Sequence, residues 1–401
     1  MIFRVKNIVM LAALSLTPAA LNAQVVDFKI FDRNVQVHGF ASEGFAISNV
    51  NNYLTMNTSK GSLAMTDGGA NISTSITDKF RVGAQIYDRK IGELGNWHPQ
   101  LDWAFGDYKF KSWFGVRAGK VKTVVGLFND TQDAEFLHTW AILPQSIYPL
   151  DLRASTIAHT GGDVYGTFGL KKAGDISYTV YAGTRPYDSY GGYEYGLQAS
   201  GINIATSKVK QFGGDLRWNN LLKGLLIGAS YLHQPESAVG TILVAPTVTF
   251  PFLIPSVYDE TAAFYLEYKV GNLTLDCEYH RETITGTSQI GPVPPTPVDE
   301  DQRGWYASAS YRVSKRLELG AYESRFYPVW GQTSAPAGNH MYDTVGAAKI
   351  ALIGQWDLKI EGHFMDGYGS PYSFRGFYPM NNQAGLEPKT NMLVIRTGWN
   401  F

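Results

Sequence analysis

Connections between the alternating segments of this chain swing regularly between very short and long. Side chains alternate with a period of two over sixteen stretches, at 35–48, 61–77, 79–89, 100–110, 113–128, 160–170, 174–185, 207–218, 223–233, 259–270, 272–284, 302–313, 316–327, 342–353, 357–366 and 390–401. A period of two marks a β-strand with one apolar face. Tight turns, such as Gly271-Asn272 and Ser314-Lys315-Arg316, alternate with long connections at 49–60, 90–99, 129–159, 186–206, 234–258, 285–301, 328–341 and 367–389. A β-sandwich has no reason to gather its long connections at one end. An even-numbered barrel that crosses a membrane does, with short turns on one side and long loops on the other. A solenoid or propeller would return one motif at a period of about 20–50 residues, and no such repeat is present. The pattern predicts an all-β fold, a 16-stranded antiparallel transmembrane β-barrel.

The final strand shows which way its faces point. Leu393, Ile395, Trp399 and Phe401 share one parity, while Arg396, Gly398 and Asn400 share the other. The first set suits lipid and the second a wetter interior. The central hairpin repeats the scheme: Phe264, Leu266, Tyr268 and Val270 alternate with Ala263, Tyr265, Glu267 and Lys269.

The N-terminus predicts export. Arg4 and Lys6 precede an apolar run from Ile8 to Leu16, and Leu21-Asn22-Ala23 offers a cleavage site, so residues 1–23 read as a signal peptide and 24–401 as a single barrel domain. The run is too short for a helical span, which needs about 20 residues, and no other segment is long and apolar enough. The richest apolar stretch, Ala238 to Val257, is interrupted by Pro246, Pro251 and Pro255. A mean hydropathy of −0.14 fits a barrel whose polar interior offsets its lipid face. Aromatic residues reach 13%, as interfacial girdles require. With 34 basic against 35 acidic residues there is no case for nucleic-acid binding. Cys277 is the one cysteine, which excludes an intramolecular disulfide and reads as a small apolar strand residue.

The longest loop, 129–159, mixes Asp130, Asp133, Glu135, His138, Asp151, Arg153 and His159 with apolar anchors, a composition that suggests packing. Three stretches around it, Arg117-Ala118-Gly119-Lys120-Val121-Lys122-Thr123, Gly126-Leu127-Phe128-Asn129-Asp130-Thr131 and Leu143-Pro144-Gln145-Ser146-Ile147-Tyr148, carry a resemblance. The region is similar to the fifth strand and third loop of Gram-negative outer-membrane porins of the general-diffusion and phosphate-selective kinds. That resemblance implies a homotrimer of 16-stranded barrels whose third loop folds inward and narrows the channel to an eyelet. On it, the loop acids Asp130, Asp133 and Glu135 would face basic residues on the opposite wall. Inward parity nominates Arg81, Arg117, Arg185, Arg312 and Arg396 for that wall. Lys120 and Lys122 share the other parity and would exchange places with Arg117 across a bulge, while Arg153 adds a cation from the loop itself. Opposed charges of this kind make a transverse field that favours polar solutes. Phosphate-selective relatives carry dense basic ladders, whereas here Glu267, Asp276 and Glu278 dilute any positive field.

Other constellations point elsewhere. Tyr187, Tyr190, Tyr193 and Tyr195 in loop 186–206 suit either loop packing or stacking on sugar rings. Loop 234–258 is apolar enough to seek the barrel mouth or a neighbouring subunit. Asp299-Glu300-Asp301 lacks the spaced ligands of a calcium loop, so no metal site is expected, although ions bridging lipopolysaccharide could meet it. Neither a zinc-protease motif, a nucleophile elbow nor a phosphate-binding loop is present, and His38, Ser42, His233, Ser288 and His363 make only a scattered set for a rim hydrolase. The expectation is a non-enzymatic porin without cofactor, set among outer-membrane lipid and lipopolysaccharide and passing small hydrophilic solutes and ions. The alternatives are a channel specific for a sugar or anion, or a plugged barrel serving as adhesin or scaffold.

Overall fold

The computed structural model describes residues 26–30, 33–332, 336–369 and 375–401. The signal-peptide reading of residues 1–23 lies outside them. Seventeen strands follow in order: β1 Val26–Ile30, β2 Arg33–Ser48, β3 Ser62–Ser75, β4 Phe80–Ile91, β5 Gln100–Lys111, β6 Phe114–Lys122, β7 Ala158–Gly169, β8 Asp175–Thr184, β9 Ile202–Asn219, β10 Leu225–Ala245, β11 Val248–Val270, β12 Leu273–Ile290, β13 Thr296–Arg312, β14 Leu317–Tyr327, β15 Met341–Ala351, β16 Trp356–Gly367 and β17 Lys389–Asn400. Each strand from β2 to β17 pairs antiparallel with its sequence neighbour, and β17 closes on β2 with Ile395 opposite Phe45 and Trp399 opposite Ala41. Sixteen strands therefore form a closed barrel, so no strand of the ring is an edge strand. The short β1 folds back along the start of β2, with Val26 opposite Val37.

The barrel is inside out relative to a water-soluble protein. Its outer face exposes Leu63, Ile86, Val180, Phe264 and Phe364, each more than half accessible, while Arg153, Lys359 and Glu361 are almost wholly buried inside. An apolar belt this continuous needs lipid around it rather than water. Aromatic rings gather at the short-turn end, where Phe110 lies 4.6 Å from Tyr108 and 5.2 Å from Phe114, and Trp113 stacks on Phe168. Rings that are apolar with a polar handle favour the headgroup level, so these side chains mark one interface. The expected turn at Gly271-Asn272 joins β11 to β12 directly; Gly271 has φ 58°, a conformation that side chains with a Cβ resist.

Four expectations change. The strand expected over 113–128 stops at Lys122, where the chain leaves the wall for the lumen. The connection expected over 234–258 is instead the outer part of a tall hairpin, with only Pro246 and Thr247 between β10 and β11. Proline normally interrupts a ladder, but here Pro255 falls in the break of register between Leu253 and Ser256. Most of 285–301 likewise belongs to β12 and β13. Loop 186–206 holds a short helix, Gly192–Ala199, before β9 begins at Ile202.

Candidate functional site

The segment between β6 and β7 runs through the lumen and is fastened to the wall on both sides. On one side, the Gly126 amide donates to Ser230 Oγ at 2.9 Å, the Leu127 amide to Glu278 at 3.2 Å, and Arg217 to the Gly126 carbonyl at 3.1 Å. The Tyr148 hydroxyl completes this anchor on Glu278. Gly126 has φ 69°, and a side chain there would run into the Glu278 carboxylate, so glycine is required for the approach. Across the lumen, Glu361 accepts from the amides of Ala141 at 2.7 Å and Ile142 at 3.1 Å. Lys359 donates to the carbonyls of Glu135 at 2.7 Å and Trp140 at 3.0 Å, and Lys349 to those of Phe136 at 2.6 Å and His138 at 3.0 Å. Backbone groups taken out of water need partners, and these charged side chains supply them.

The loop acids are paired by contact rather than opposed across a gap, which corrects the expected arrangement. Asp133 lies 2.8 Å from Lys122 and accepts from Gln85 at 2.8 Å. Burial would raise its carboxyl, but Lys122 and Arg153 outweigh that and hold it below the usual range. Glu135 forms an ion pair with Lys359, and despite its burial this pairing keeps its carboxyl low. Asp130 lies 3.7 Å from Arg217. Buried His138 is pushed down to about 4, first by desolvation and then by Lys359, so it is neutral at physiological pH.

The nominated bases separate into three groups. Arg153 and Arg396 are buried beside the loop: Arg153 grips Asp102 through two bonds of 2.9 and 2.8 Å and lies 3.7 Å from the Tyr87 ring centre, while Arg396 reaches Asp67 at 2.7 Å and the Ala141 carbonyl at 2.7 Å. Arg117, Lys120, Lys122 and Arg185 stand on or beside the inner wall. Arg117 lies between Asp107 at 3.9 Å and Asp163 at 3.8 Å, Lys120 turns to the Leu101 carbonyl, and Arg185 lies 3.1 Å from Glu236. Arg81 and Arg312 stand at the short-turn end, away from the loop; Arg81 bonds Ser73 at 3.0 Å, and Arg312 is largely exposed 3.7 Å from Glu318. Inward parity alone does not report height along the barrel, which is why these two were nominated.

Sequence reasoning missed Lys349, Lys359, Glu361, Asp102 and Arg217. A signal for two of them was present, because Asp357, Lys359, Glu361 and His363 alternate with Leu358, Ile360 and Phe364. Asp102 was hidden by a break of register opposite Gln85 and Ile86, which leaves both Asp102 and Trp103 buried.

Loop 49–61 and residues 375–388 close part of the lumen. Tyr53, Leu54, Met56 and Phe377 pack with Ile142 of the loop and with Met65, Phe326, Met392 and Val394 of the wall. Asp151 ties this cover to the loop, accepting from the Tyr378 hydroxyl at 2.6 Å and the Gly376 amide at 3.0 Å; burial raises its carboxyl to about 6. On the other side, facing β9 to β13, a cavity of ≈ 440 Å³ remains between loop and wall. Two of the loop tyrosines serve packing, as Tyr195 donates to Asn381 at 2.6 Å and Tyr190 stacks on His98 at 3.7 Å, while Tyr187 and Tyr193 line the cavity. Asp301 is held by Arg281 and Arg303, each at 2.9 Å, and among the described residues no cluster suits a metal ion. His233 pairs with Glu260 and His363 with Asp343, so the scattered hydrolase set does not converge.

No protein-family model matches the chain, and no curated protein matches it in sequence. Solved structures do match in shape. OmpT, an outer membrane protein of Vibrio cholerae, is similar at TM-score 0.59 and 11% identity over 94% of this chain and 100% of that one. The outer membrane channel DcaP of Acinetobacter baumannii gives 0.55 and 10% over 93% and 99%. An anion-selective porin from Comamonas acidovorans gives 0.55 and 10% over 92% and 100%. With the closed barrel and its inward loop, these likenesses establish the fold: the chain is built as the 16-stranded barrel found in outer-membrane porins.

Proposed function

We propose that the protein is a porin of the Gram-negative outer membrane, forming a water-filled channel for passive diffusion of small hydrophilic solutes and ions. The observation that carries this reading is the loop from β6 to β7, fastened across the lumen by buried ion pairs and charge-assisted bonds, with the ≈ 440 Å³ cavity beside it. A wall-anchored loop narrows a channel while holding fixed dipoles and charges along its path, which is how pores select by size and charge. Resemblance to a channel, to an anion-selective porin and to a form of the Vibrio cholerae protein described as a trimer supports a homotrimer embedded in lipid and lipopolysaccharide. No catalytic role is assigned. A signal peptide at 1–23 and one barrel domain over 24–401 complete the proposal.

Single-channel recording of purified protein in a planar bilayer tests it. Steps closing in threes support an open trimer, and the reversal potential under a salt gradient gives its ion preference. Folded, heat-modifiable protein without steps would sink the diffusion reading. It would select a sealed barrel acting as a surface scaffold, a reading favoured by the apolar cover of Tyr53, Leu54 and Phe377.

A further inference from the structure

The cavity beside the loop is much more acidic than the chain as a whole. Its lining includes Asp151, Asp188, Glu236, Asp259, Glu282 and Glu300 against the guanidinium groups of Arg185 and Arg375 and the imidazole of His280. These cations are already committed. Arg185 is divided between Glu236 at 3.1 Å and Asp259 at 4.0 Å, Arg375 lies 3.9 Å from Glu282, and His280 turns to Glu278 at 2.7 Å. Asp188 has Arg89 at 3.5 Å from outside the lining. Three arginines therefore serve six carboxylates, which leaves an excess of negative charge inside a partly open space.

Two of these carboxylates are also incompletely satisfied. Asp151 Oδ1 and Asp259 Oδ1 are both buried without a hydrogen-bond partner, and Asp151 is wholly inaccessible as a residue. Buried carboxylate oxygens are ordinarily bonded, and a buried charge is costly unless something pairs with it. Beside the acids the lining carries an apolar patch, with Phe252, Ile254 and Val257 from β11, Ile284 from β12 and Phe326 from β14, set among neutral polar groups such as Gln211, Gln234 and Gln302. Low-dielectric walls concentrate the field of the acids between them. A cavity of this size, within the range of about 300–1,000 Å³ usual for small ligands, in which acids outnumber bases beside an apolar patch, suits an amphipathic molecule of positive charge.

We propose that this cavity is a binding station for small organic cations bearing an apolar or aromatic body. The ammonium group is held by Asp259 and Glu282, and the body lies along Phe252 and Ile284. Neutral sugars could donate to the same oxygens, but they do not offset the excess charge. The proposal rests on the channel reading for the route by which the cation arrives, yet binding itself is measured separately.

Calorimetry on the folded, detergent-solubilised protein at pH 7 and low salt, using three ligands of one shape, tests this. The ligands are 2-phenylethylamine, 2-phenylethanol and phenylacetate, with glucose as a further arm. The amine should bind at least about tenfold more tightly than the alcohol, and phenylacetate should not bind. Added salt should weaken the amine alone. Asp259→Asn and Glu282→Gln should each weaken the amine about tenfold or more, with heat-modifiable migration checking that the barrel remains folded. Equal binding of the three, preference for phenylacetate, binding of glucose without the amine, or no binding would each overturn the inference. Because the charge series is read on the unaltered protein, a variant that fails to fold does not decide the outcome. Conductance steps without amine binding would remove this inference alone, whereas amine binding without steps would remove only the channel reading.

Discussion

Lys359→Met should release the middle of the lumen loop without opening the barrel. The Lys359 ammonium is fully buried and holds three groups of the loop: the Glu135 carboxylate, the Glu135 carbonyl and the Trp140 carbonyl. Methionine fills a similar volume but leaves a buried carboxylate facing no contact cation. Breaking a buried pair by removing one partner costs about 3–5 kcal/mol. At about 1.4 kcal/mol per factor of ten, the ratio of docked to undocked loop falls at least roughly 150-fold. Limited proteolysis with cleavage sites mapped by mass spectrometry reads this directly, because cutting follows the open population when opening is faster than cleavage. Cleavage between Asp130 and Ile142 should accelerate by about two orders of magnitude, with unchanged heat-modifiable migration. Lys359→Met/Glu135→Gln should recover most of the protection, since removing both charges leaves only the two carbonyls unserved. Wild-type cleavage in Lys359→Met, or a double variant cut as fast as the single one, would refute the reasoning.

Three further outcomes follow from the same geometry. Burial raises the Asp151 carboxyl to about 6, above the usual carboxylate value of about 4, so its protonated form favours the docked state. That stability is fully present below about pH 4 and lost as pH rises through about 6; the protection factor of the Gly376 amide, its exchange rate corrected for the intrinsic pH dependence, should fall over this window and stay constant in Asp151→Asn. Arg153→Lys loses the paired bonds to Asp102 and the contact with Tyr87, a cost of about 2–3 kcal/mol that urea unfolding of the loop would detect; a change under about 0.5 would count against it. Gly126→Ala forces an unfavourable φ and displaces Glu278, so it should destabilise docking by about 1–2 kcal/mol or more, seen as faster exchange at the Leu127 amide, whereas unchanged exchange would argue against that strain.

The wall and the loop differ in how far the chain announces them. Alternation over β17 correctly separates Leu393 and Ile395, outside, from Arg396, inside, because facing is a local property of two consecutive residues. The loop's partners are not local. Glu135 meets Lys359 across 224 positions, and Ala141 meets Arg396 across 255. No period in the chain encodes which cation reaches which acid. Arg81 and Arg312 have the right parity and the wrong height, while Asp102 is presented by an irregularity that parity counting passes over.

By itself, then, the sequence determined the number of barrel strands, their faces and the end at which the connections are short. These depend on side-chain alternation and turn chemistry within a few residues. Only the tertiary structure decided that the loop acids are neutralised in place, that the prolines of 234–258 are carried on tall strands, and that the remaining space lies on the β9–β13 side with six carboxylates around it. Closing the barrel fixes the stagger between strands, and that stagger sets the height at which each inward charge meets the loop.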